Sequence, residues 1–564
     1  MAANSLHAQP SGRIQWWGPT NERIRAIYER GELRGNRFDA EWLSDSSGFV
    51  VRERNSDSGE TQRAVYDVVS GNRKSRPDAE QATPQRDSKT SLDGRYTLQY
   101  QGRDVVVREV HTGKTETLLR CDEERDSMFR SLGWSPDGRR VVFVDHDETD
   151  VRLRSVLKPT DPSYPNVDQH RFARVGEKIS KLRVGVVDVD THEIQWLPIE
   201  SPEEGFYLGQ VEWAGNSREV LVETMSRFRD TRTFLLVDID AGTVTQIFHE
   251  TNDAWAVGSQ EKNSGLLWVR SGNAFIVISE QDGWRHAFLY DRKGEQLAVL
   301  TPGDYDIVDR GQVDEANGWF YFYASPENAT QKFLYYVPLD GNGDLTPVSP
   351  RDQPGTHDYV FSPDVKWAFH TYSTFDTPPV TDLVELPSHR TIRMLEDNAD
   401  LLATSRQWIA QPTEFLQLEI EDGVSFDAWL MKPNDFDPSK KYPVFIYVYG
   451  EPYAQTVLDE WGAAQSHFHR VVADMGYLVV SIDNRGTPAP KGAAWRRSIF
   501  GSLGPLSTDD QVVSLDYSNC QRQLFHLDGW GERSRSSQRP MVLVEPYRGP
   551  WHGRALARLH CVSR

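Results

Sequence analysis

Residues 134–144 read WSPDGRRVVFV, and this short stretch decides the fold of most of the chain. A Trp precedes a Ser-Pro-Asp-Gly turn, and β-branched and aromatic residues follow it, which is typical of two strands joined by a tight turn. Variants of this pattern are WLSDSSGFVVRE, SLDGRYTLQY, WAGNSREVLVE and FSPDVKWAFHT, which begin at Trp42, Ser91, Trp213 and Phe361. Such self-similarity indicates a repeat architecture.

A second repeated element is an apolar strand that ends in Asp and a turn containing Gly. Its copies are YDVVSGN, VDIDAGTV, LYDRKGEQ and VPLDGNGD, which begin at Tyr66, Val237, Leu289 and Val337. The last three copies lie about 50 residues apart, which is the length of a four-stranded propeller blade. We therefore predict a β-propeller of seven or eight blades over residues 35–402. A β-sandwich whose turns repeat by chance is the alternative.

The repeat breaks between Asp145 and Leu182, where Pro and charged residues are too frequent for an ordinary blade. We predict an insertion that projects from the propeller. It either controls access to a central cavity, contacts a partner subunit or is a long solvated loop.

Composition limits the class of protein. The 564 residues include ample aromatic material for a packed core, and the formal net charge of -20 argues against general binding to nucleic acid. No apolar run is long enough to span a membrane, and the first residues lack the apolar stretch of a secretory signal. As written, the chain is expected to be cytoplasmic, with a periplasmic or secreted location if the true N-terminus is missing. The three cysteines, Cys121, Cys520 and Cys561, are too scattered for a disulfide framework or a zinc site.

The pattern changes after Leu402. Two strands over QLEIEDGVSFDAWLMKP are followed by the apolar runs VFIYVY and YLVVSI, with a helix between them at residues 463–475. Continuous apolar runs separated by a helix are typical of a parallel sheet that is covered on both faces. We predict the start of an α/β layer over residues 403–511, after an N-terminal segment over residues 1–34 and the propeller.

These patterns together resemble the prolyl oligopeptidase group of serine peptidases, and most closely its dipeptidyl peptidase IV branch. In the first domain the resemblance rests on WSPDG, RVGVVDV, SEQDGWRHAFLYD and SPENATQKFLYYV, which begin at Trp134, Arg183, Ser279 and Ser325. In the second domain it rests on FDPSKKYPVFIYVYGEPYAQTV and GYLVVSIDNRGTPAPKGAAWRR, which begin at Phe436 and Gly476. The resemblance covers roughly residues 35–511 and implies a propeller followed by an α/β-hydrolase domain.

Peptide hydrolysis by acyl transfer needs a nucleophile, an oriented base and donors for the oxyanion. In α/β-hydrolases the Ser lies in a Gly-x-Ser-x-Gly turn, and no such sequence occurs in these 564 residues. The resemblance does assign one residue: Tyr449, in VYGEP, matches the tyrosine that donates its hydroxyl to the oxyanion in this branch. Without the resemblance, Tyr449 would be interpreted as a core tyrosine with a hydrated hydroxyl.

A dipeptidyl peptidase also binds the free ammonium group of its substrate, for which paired carboxylates are the expected partners. Glu123 and Glu124 have the same placement before the WSP motif as the glutamate pair of the family. The aromatic residues that usually precede that pair are missing here. An acidic loop on a solvated surface is therefore an equal alternative.

Residues 512–564 do not follow the family pattern. They contain eight Arg and four acidic residues, Asp516, Asp528, Glu532 and Glu545, which is a local charge of +4 against -24 for the rest of the chain. We interpret this aberrant tail as the result of a frameshift or gene-model error that removed the catalytic Ser, Asp and His. Truncation of the parallel sheet is also expected to make the second domain unstable.

We therefore expect a dipeptidyl-peptidase-IV-type serine peptidase that releases N-terminal dipeptides, in a form that is inactive. The alternatives are a non-catalytic propeller that binds peptides, and an endopeptidase or acylaminoacyl-peptidase of the same group. A peptide is the expected substrate, no nucleic acid or membrane partner is expected, and family members often form homodimers. No cofactor or metal is expected, because His467 and His469 lack a converging set of ligands and are interpreted as polar residues at a helix end.

Overall fold

The computed structural model describes residues 17–54, 61–73, 89–122, 124–158, 163–164, 166–256, 263, 265–420 and 423–522. Within these ranges seven antiparallel sheets follow one another along the chain, and an eighth sheet of mixed direction comes after them. A separate two-stranded hairpin projects between two strands of the third sheet. The β-propeller followed by an incomplete hydrolase domain is therefore confirmed.

The first three blades carry the sequence repeats that begin at Trp42, Ser91 and Trp134. Blade 1 contains β1 (Ala40–Trp42), β2 (Gly48–Arg54) and β3 (Thr61–Asp67), and blade 2 contains β4 (Tyr96–Gln101), β5 (Asp104–Glu109) and β6 (Thr115–Leu119). Blade 3 begins with β7 (Ser127–Trp134) and β8 (Arg140–Asp147), continues after the hairpin β9 (Leu153–Lys158) and β10 (Asn166–Arg171), and ends with β11 (Lys181–Asp188) and β12 (Ile194–Trp196).

The other four blades have four strands each in sequence order. Blade 4 contains β13 (Phe206–Trp213), β14 (Glu219–Ser226), β15 (Thr231–Asp238) and β16 (Thr243–Thr251), and blade 5 contains β17 (Leu266–Val269), β18 (Ala274–Ser279), β19 (His286–Asp291) and β20 (Gln296–Val299). Blade 6 contains β21 (Ile307–Asp314), β22 (Trp319–Ala324), β23 (Phe333–Pro338) and β24 (Thr346–Pro347), and blade 7 contains β25 (Thr356–Phe361), β26 (Trp367–Ser373), β27 (Val380–Glu385) and β28 (Arg390–Glu396).

The repeated turn has the same hydrogen bonds in three blades. In blade 3 the Ser135 hydroxyl donates to Asp137, and Gly138 adopts a φ of 70°. Ser91 and Asp93 repeat this bond in blade 2, as do Ser362 and Asp364 in blade 7. The short polar side chains close the turn, and the left-handed residue that follows redirects the chain into the next strand.

The propeller core lies between the faces of successive blades. Phe129 and Phe143 of blade 3 pack with Leu98 of blade 2, and similar clusters join each later pair of blades. The ring closes between blades 7 and 1, where the Trp42 and Phe369 rings stack with centroids 4.2 Å apart. The Trp42 indole N–H also donates to the Val360 carbonyl at 3.0 Å.

The hairpin β9–β10 confirms the predicted insertion. Its two strands pair only with each other in the described part of the chain, whereas β8 and β11 on either side of it pair directly within blade 3. The hairpin therefore stands outside the blade that carries it. Leu157 and Val167 lie directly opposite each other in it and are both more than half exposed.

The hydrolase part is a four-stranded sheet in the order β29 (Glu414–Glu419), β30 (Ser425–Met431), β32 (Leu478–Asp483), β31 (Val444–Tyr447). Strands β31 and β32 are parallel and are joined through a short 3-10 turn (Ala463–Gln465) and helix α3 (Ser466–Asp474). One face of the sheet packs around Phe426 and Val480, and the other around Trp429 and Val479. The apolar runs are thus buried on both faces, as predicted.

Four further helices lie around this sheet: α1 (Trp17–Tyr28), α2 (Ala399–Trp408), α4 (Gly492–Arg497) and α5 (Leu503–Arg522). Helix α1 packs on α3, where Ile27 and Val471 share a cluster and Arg23 pairs with Asp474 at 2.5 Å. The N-terminal segment therefore contacts the hydrolase part. Helix α2 crosses the predicted boundary at residue 402, and α5 crosses the position at residue 511 where the sequence pattern changes.

Candidate functional site

Tyr449 lies two residues after the end of β31, at the carboxyl end of the two parallel strands. The next residue, Gly450, has a φ of 72°, and its carbonyl accepts a hydrogen bond of 2.9 Å from the Ser507 hydroxyl on α5. Tyr449 itself is half-buried. In open α/β sheets, ligands bind at the carboxyl ends of the strands, so Tyr449 occupies the edge of the sheet where chemistry is expected.

Asp483 holds the chain that continues from Tyr449. It is the last residue of β32 and is fully buried, and its carboxylate accepts hydrogen bonds from the Thr456 amide (2.9 Å), the Thr456 hydroxyl (2.8 Å) and the Val457 amide (3.0 Å). Burial raises the pKa of Asp483 to about 6, against the opposing effect of these donors. The segment 449–457 therefore contacts the sheet at both ends: it follows β31 in the chain, and its last two residues bind Asp483 of β32.

A cavity of about 310 Å³ lies between this segment and the propeller. The hydrolase part contributes Tyr453, Gln455 and Glu460, and blades 5 to 7 contribute Asp309 and Lys332, among others. Lys332 is held by Asp358 at 2.6 Å and lies 3.6 Å from Asp309. The cavity is thus walled by both domains and is lined by charged and amide side chains that suit a polar chain such as a peptide.

A buried ionic network joins the two domains beside the cavity. Arg496 of α4 donates to both oxygens of Asp306, at 2.6 and 2.9 Å, and to Glu280 at 2.8 Å. The Gly492 amide also donates to Asp306, at 2.7 Å. Burial alone would raise the pKa of Asp306, but the hydrogen bonds and charge of Arg496 lower it below the ordinary value. The network fixes the first turn of α4 to blade 5.

Comparisons with known proteins agree with this architecture. The family model described as "Dipeptidyl peptidase IV (DPP IV) N-terminal region" matches residues 121–379. The chain is 25% identical over 425 residues to "Probable dipeptidyl peptidase 4" of Emericella nidulans, a match that covers 71% of this chain and 54% of the relative. "Probable dipeptidyl-aminopeptidase B" of the same organism is 28% identical over 416 residues, which cover 70% of this chain and 45% of the relative. The chain is therefore similar to dipeptidyl peptidases over about 70% of its length, and residues 121–379 match the N-terminal region of dipeptidyl peptidase IV.

A solved structure shows the same fold. The crystal structure of Porphyromonas gingivalis dipeptidyl peptidase 4 superposes with a TM-score of 0.78 at 21% identity, and the match covers 89% of this chain and 79% of that chain. The chain spans about half the length of the curated dipeptidyl peptidase relatives that it matches.

The acidic residues predicted to bind the substrate ammonium lie before β7 of blade 3. Glu123 lies outside the described residues. Glu124 is exposed, and its amide donates to the Asp122 carboxylate at 3.0 Å. Within the part of the chain that the structure describes, no ion pair involves Glu124. The contacts described for Glu124 do not join it to Tyr449, so the assignment of these three residues to one site stays a prediction.

Helix α5 carries the last part of the family pattern. Arg485, after β32, pairs with Asp510 at 2.6 Å, and the Gln511 side chain donates to the Ile482 carbonyl at 2.8 Å. The helix continues without a break to Arg522. The catalytic Ser, Asp and His were expected to be absent, and residues 523–564 lie outside the described part.

The two histidines of α3 differ from the sequence interpretation. Both lie in the first turn of the helix, but His469 is completely buried and its ring lies 4.5 Å from the ring of Tyr447. Burial lowers the pKa of His469 to about 3 and that of His467 to about 4. His469 is therefore a neutral core residue rather than a polar helix end. Among the described residues, no group of three or more His, Cys, Asp and Glu side chains could hold a metal ion.

Sequence reasoning missed several residues that shape this region, above all Asp483, Asp306 and Arg496. In SIDNRG, Asp483 is the last residue of the buried strand β32 and Arg485 follows shortly after it, and polar residues at the carboxyl end of a buried strand are a signal of a site. Asp306 and Arg496 are 190 positions apart, so no local pattern could have paired them. None of the helices in the described part of the chain is long and apolar enough to cross a membrane.

Proposed function

We propose that this protein is a serine-type peptidase of dipeptidyl peptidase IV type, which releases N-terminal dipeptides by acyl transfer. We further propose that the 564-residue chain does not hydrolyse peptides, because it contains no Gly-x-Ser-x-Gly sequence to supply a nucleophile. The observation that supports the assignment best is the position of Tyr449, at the carboxyl end of β31 and on the segment that continues into the cavity wall.

The chemistry of the retained residues fits this reaction. The Tyr449 hydroxyl would donate a hydrogen bond to the oxygen of the tetrahedral intermediate, where negative charge develops. Glu123 and Glu124 would bind the substrate ammonium group and so set the distance from the chain start to the scissile bond. Arg125, the cation closest in sequence to Glu124, pairs with Asp147 at 2.8 Å, which leaves the acidic charge of Glu124 available to a ligand.

The test is an assay of the full chain with Ala-Pro chromogenic dipeptide and its N-acetylated form, together with labelling by a serine-directed fluorophosphonate. We expect no turnover and no label, but measurable binding of Ala-Pro amide and weaker binding of N-acetyl-Ala-Pro amide. Glu123→Gln and Glu124→Gln should each reduce that difference, because a neutral amide attracts the ammonium group less. Turnover with labelling would overturn the proposed inactivity.

The same experiment separates the alternatives. Equal binding of the free and the acetylated ligand would favour an endopeptidase or acylaminoacyl-peptidase, which does not need to bind an amine. Resequencing the locus around the Gln511 codon tests the proposed frameshift, since an intact frame with no downstream coding sequence for a Gly-x-Ser-x-Gly turn would contradict it.

We also propose a homodimer that forms through the hairpin β9–β10. Leu153, Leu157 and Val167 are each more than half exposed on this hairpin, and such apolar groups are usually covered in an assembly. Leu157→Glu is expected to shift the protein towards monomer in sedimentation equilibrium. Arg154→Glu on the same strand is the control, because neighbouring residues of a strand face opposite sides.

A further inference from the structure

Two Asn-Gly pairs lie side by side at one end of blade 6. Asn317 and Gly318 are in the turn between β21 and β22, and Asn342 and Gly343 are in the turn between β23 and β24. The two turns are in contact, because the Leu339 amide donates a hydrogen bond of 2.8 Å to the Gly318 carbonyl. Both asparagines are exposed, so they differ in their local contacts rather than in their access to solvent.

In an Asn-Gly pair the main chain can react with the side chain. The nitrogen of the glycine amide loses its proton and attacks Cγ of the asparagine, because glycine has no Cβ to obstruct the approach. A bond forms between this nitrogen and Cγ, the bond from Cγ to Nδ2 breaks, and ammonia leaves. Water then opens the cyclic imide at either carbonyl and gives aspartate or isoaspartate. Water is the only co-reactant, and nothing is oxidised or reduced.

The side chain of Asn317 is held away from this reaction. Its Nδ2 donates to the buried Asp314 carboxylate at 2.7 Å, and its backbone amide donates to the other oxygen of the same carboxylate at 3.0 Å. Hydrogen bonds to a carboxylate are stronger than those between neutral groups. The bond from Nδ2 has to break before Cγ can approach the Gly318 nitrogen, so Asp314 protects this pair.

The side chain of Asn342 has no such restraint. Its backbone amide donates to Asp340 at 2.9 Å, which fixes the main chain of the turn. Within the described part of the chain, neither the Asn342 side chain nor the Gly343 amide forms a hydrogen bond. The turn also requires glycine at position 343, since a Cβ there would lie 2.6 Å from the Pro338 ring. The fold therefore keeps the reactive pair and leaves both of its reacting groups exposed to solvent.

We propose that Asn342 is a site of spontaneous deamidation, at which the turn between β23 and β24 gains a carboxylate, whereas Asn317 is protected by Asp314. The new carboxylate would stand between Asp340 and Asp344 and so place three negative charges within five residues. The isoaspartate product would also add a methylene group to the main chain of the turn. This modification is independent of the proposed peptidase function.

The experiment follows both asparagines in one sample. The full chain is incubated at neutral and at mildly alkaline pH and then digested. Mass spectrometry quantifies the conversion of amide to acid in the peptides that contain Asn317 and Asn342. Separation of the isoaspartyl from the aspartyl peptide identifies the route, because direct hydrolysis of the side-chain amide gives aspartate alone. A parallel incubation in urea is the matched control, since both pairs are then free of the contacts of the fold.

In the folded chain we expect Asn342 to be converted at least about tenfold faster than Asn317, because hydrogen bonds to a carboxylate restrain Asn317. In urea the two rates should become similar. The rate at Asn342 should rise with pH, since the glycine amide loses its proton more readily. Asp314→Ala should raise the rate at Asn317, and thermal unfolding shows whether this variant is folded.

Equal rates at Asn317 and Asn342 in the folded chain would overturn the inference, because the contacts of the fold would then make no difference. Conversion of both residues in urea but of neither in the folded chain would also overturn it, since the turn would then protect Asn342. An aspartyl product without isoaspartate would contradict attack by the Gly343 nitrogen. Because these comparisons use the parent chain, they stand even if Asp314→Ala does not fold.

Discussion

Asn398 and Asn36, 362 positions apart in the chain, exchange two hydrogen bonds at the point where the chain enters and leaves the propeller. The Asn36 amide donates to the Asn398 side-chain oxygen at 2.8 Å, and the Asn398 side-chain nitrogen donates to the Asn36 carbonyl at 3.0 Å and to the Pro379 carbonyl at 2.8 Å. Asn398 also has a φ of 46°, a conformation that Asn tolerates better than most residues. One buried amide therefore joins both ends of the ring.

Asn398→Ala is expected to lower the free energy of unfolding by about 1–3 kcal/mol, because it removes the partner of three part-buried backbone groups and places Ala in a left-handed conformation. Urea denaturation measures this change. Asn398→Asp keeps the acceptor but loses the donor and should have a smaller effect. An unfolding midpoint for the Ala variant equal to that of the parent would contradict the role of this side chain.

The buried network between the domains predicts a second effect on stability. Glu280 is 3% exposed at its side chain and pairs with Arg496, Arg285 and Arg497. Glu280→Gln should cost about 3–5 kcal/mol, because it removes the countercharge of guanidinium groups that remain buried. We expect calorimetry of the Glu280→Gln variant to show separate unfolding transitions for the propeller and the hydrolase part. Glu385→Gln, which removes an exposed pair with Arg390, is the control and should change little. A single unshifted transition for Glu280→Gln would contradict the prediction.

Stability should fall with acid because of buried histidines in blade 7. Burial lowers the pKa of His357 to about 3 and that of His389 to about 4, while an unfolded histidine titrates near 6.5. The unfolded state thus binds more protons between pH 6.5 and about 4, so the free energy of unfolding is full above pH 6.5 and decreases as the pH falls through this window. Urea midpoints across the window measure the decrease.

His389→Asn should flatten that pH dependence. His192→Asn is a matched control, since His192 has a φ of 60° like the 53° of His389 but lies on the surface of blade 3. The control should leave the slope unchanged. Equal slopes for the parent and the His389 variant would show that the acid sensitivity arises elsewhere.

The repeated turns predict a cost for a side chain at Gly138. This residue has a φ of 70°, and an added Cβ would lie 3.4 Å from the Asp93 carboxylate. Gly138→Ala should cost about 1 kcal/mol and Gly138→Val about 2 kcal/mol, because a β-branched residue is strained further in this conformation. The chain itself places Val365 at the equivalent turn of blade 7, with a φ of 57° and a buried side chain. Urea denaturation compares the three proteins, and a Val variant as stable as the parent would contradict the prediction.

Local patterns predicted much of the fold. The Ser-x-Asp turns, the interruption between β8 and β11, and the parallel pair β31 and β32 were all readable because each depends on residues close together in sequence. The contacts that close the structure were not readable. The pairs Asn36 with Asn398 and Asp306 with Arg496 could not be predicted, because their members are far apart in sequence and come into contact only in the folded chain.

The candidate site was predicted less completely than the fold. Tyr449 was assigned only through the resemblance, and its role as oxyanion donor stays a prediction. Asp483 was missed, because a carboxylate that holds a loop has the same sequence signal as one that faces solvent.

The closure of the propeller has a consequence for how the protein is made. Blades 1 and 7 exchange no strand in the described part of the chain, and only side chains such as Trp42 and Phe369 hold them together. During synthesis the apolar face of blade 1 has no partner until the ribosome has released residues near 396, some three hundred and fifty positions later. Contact between blades 1 and 7 is therefore the last step of propeller assembly. Until then, the aromatic side chains of blade 1 that pack on blade 7 are exposed in the nascent chain.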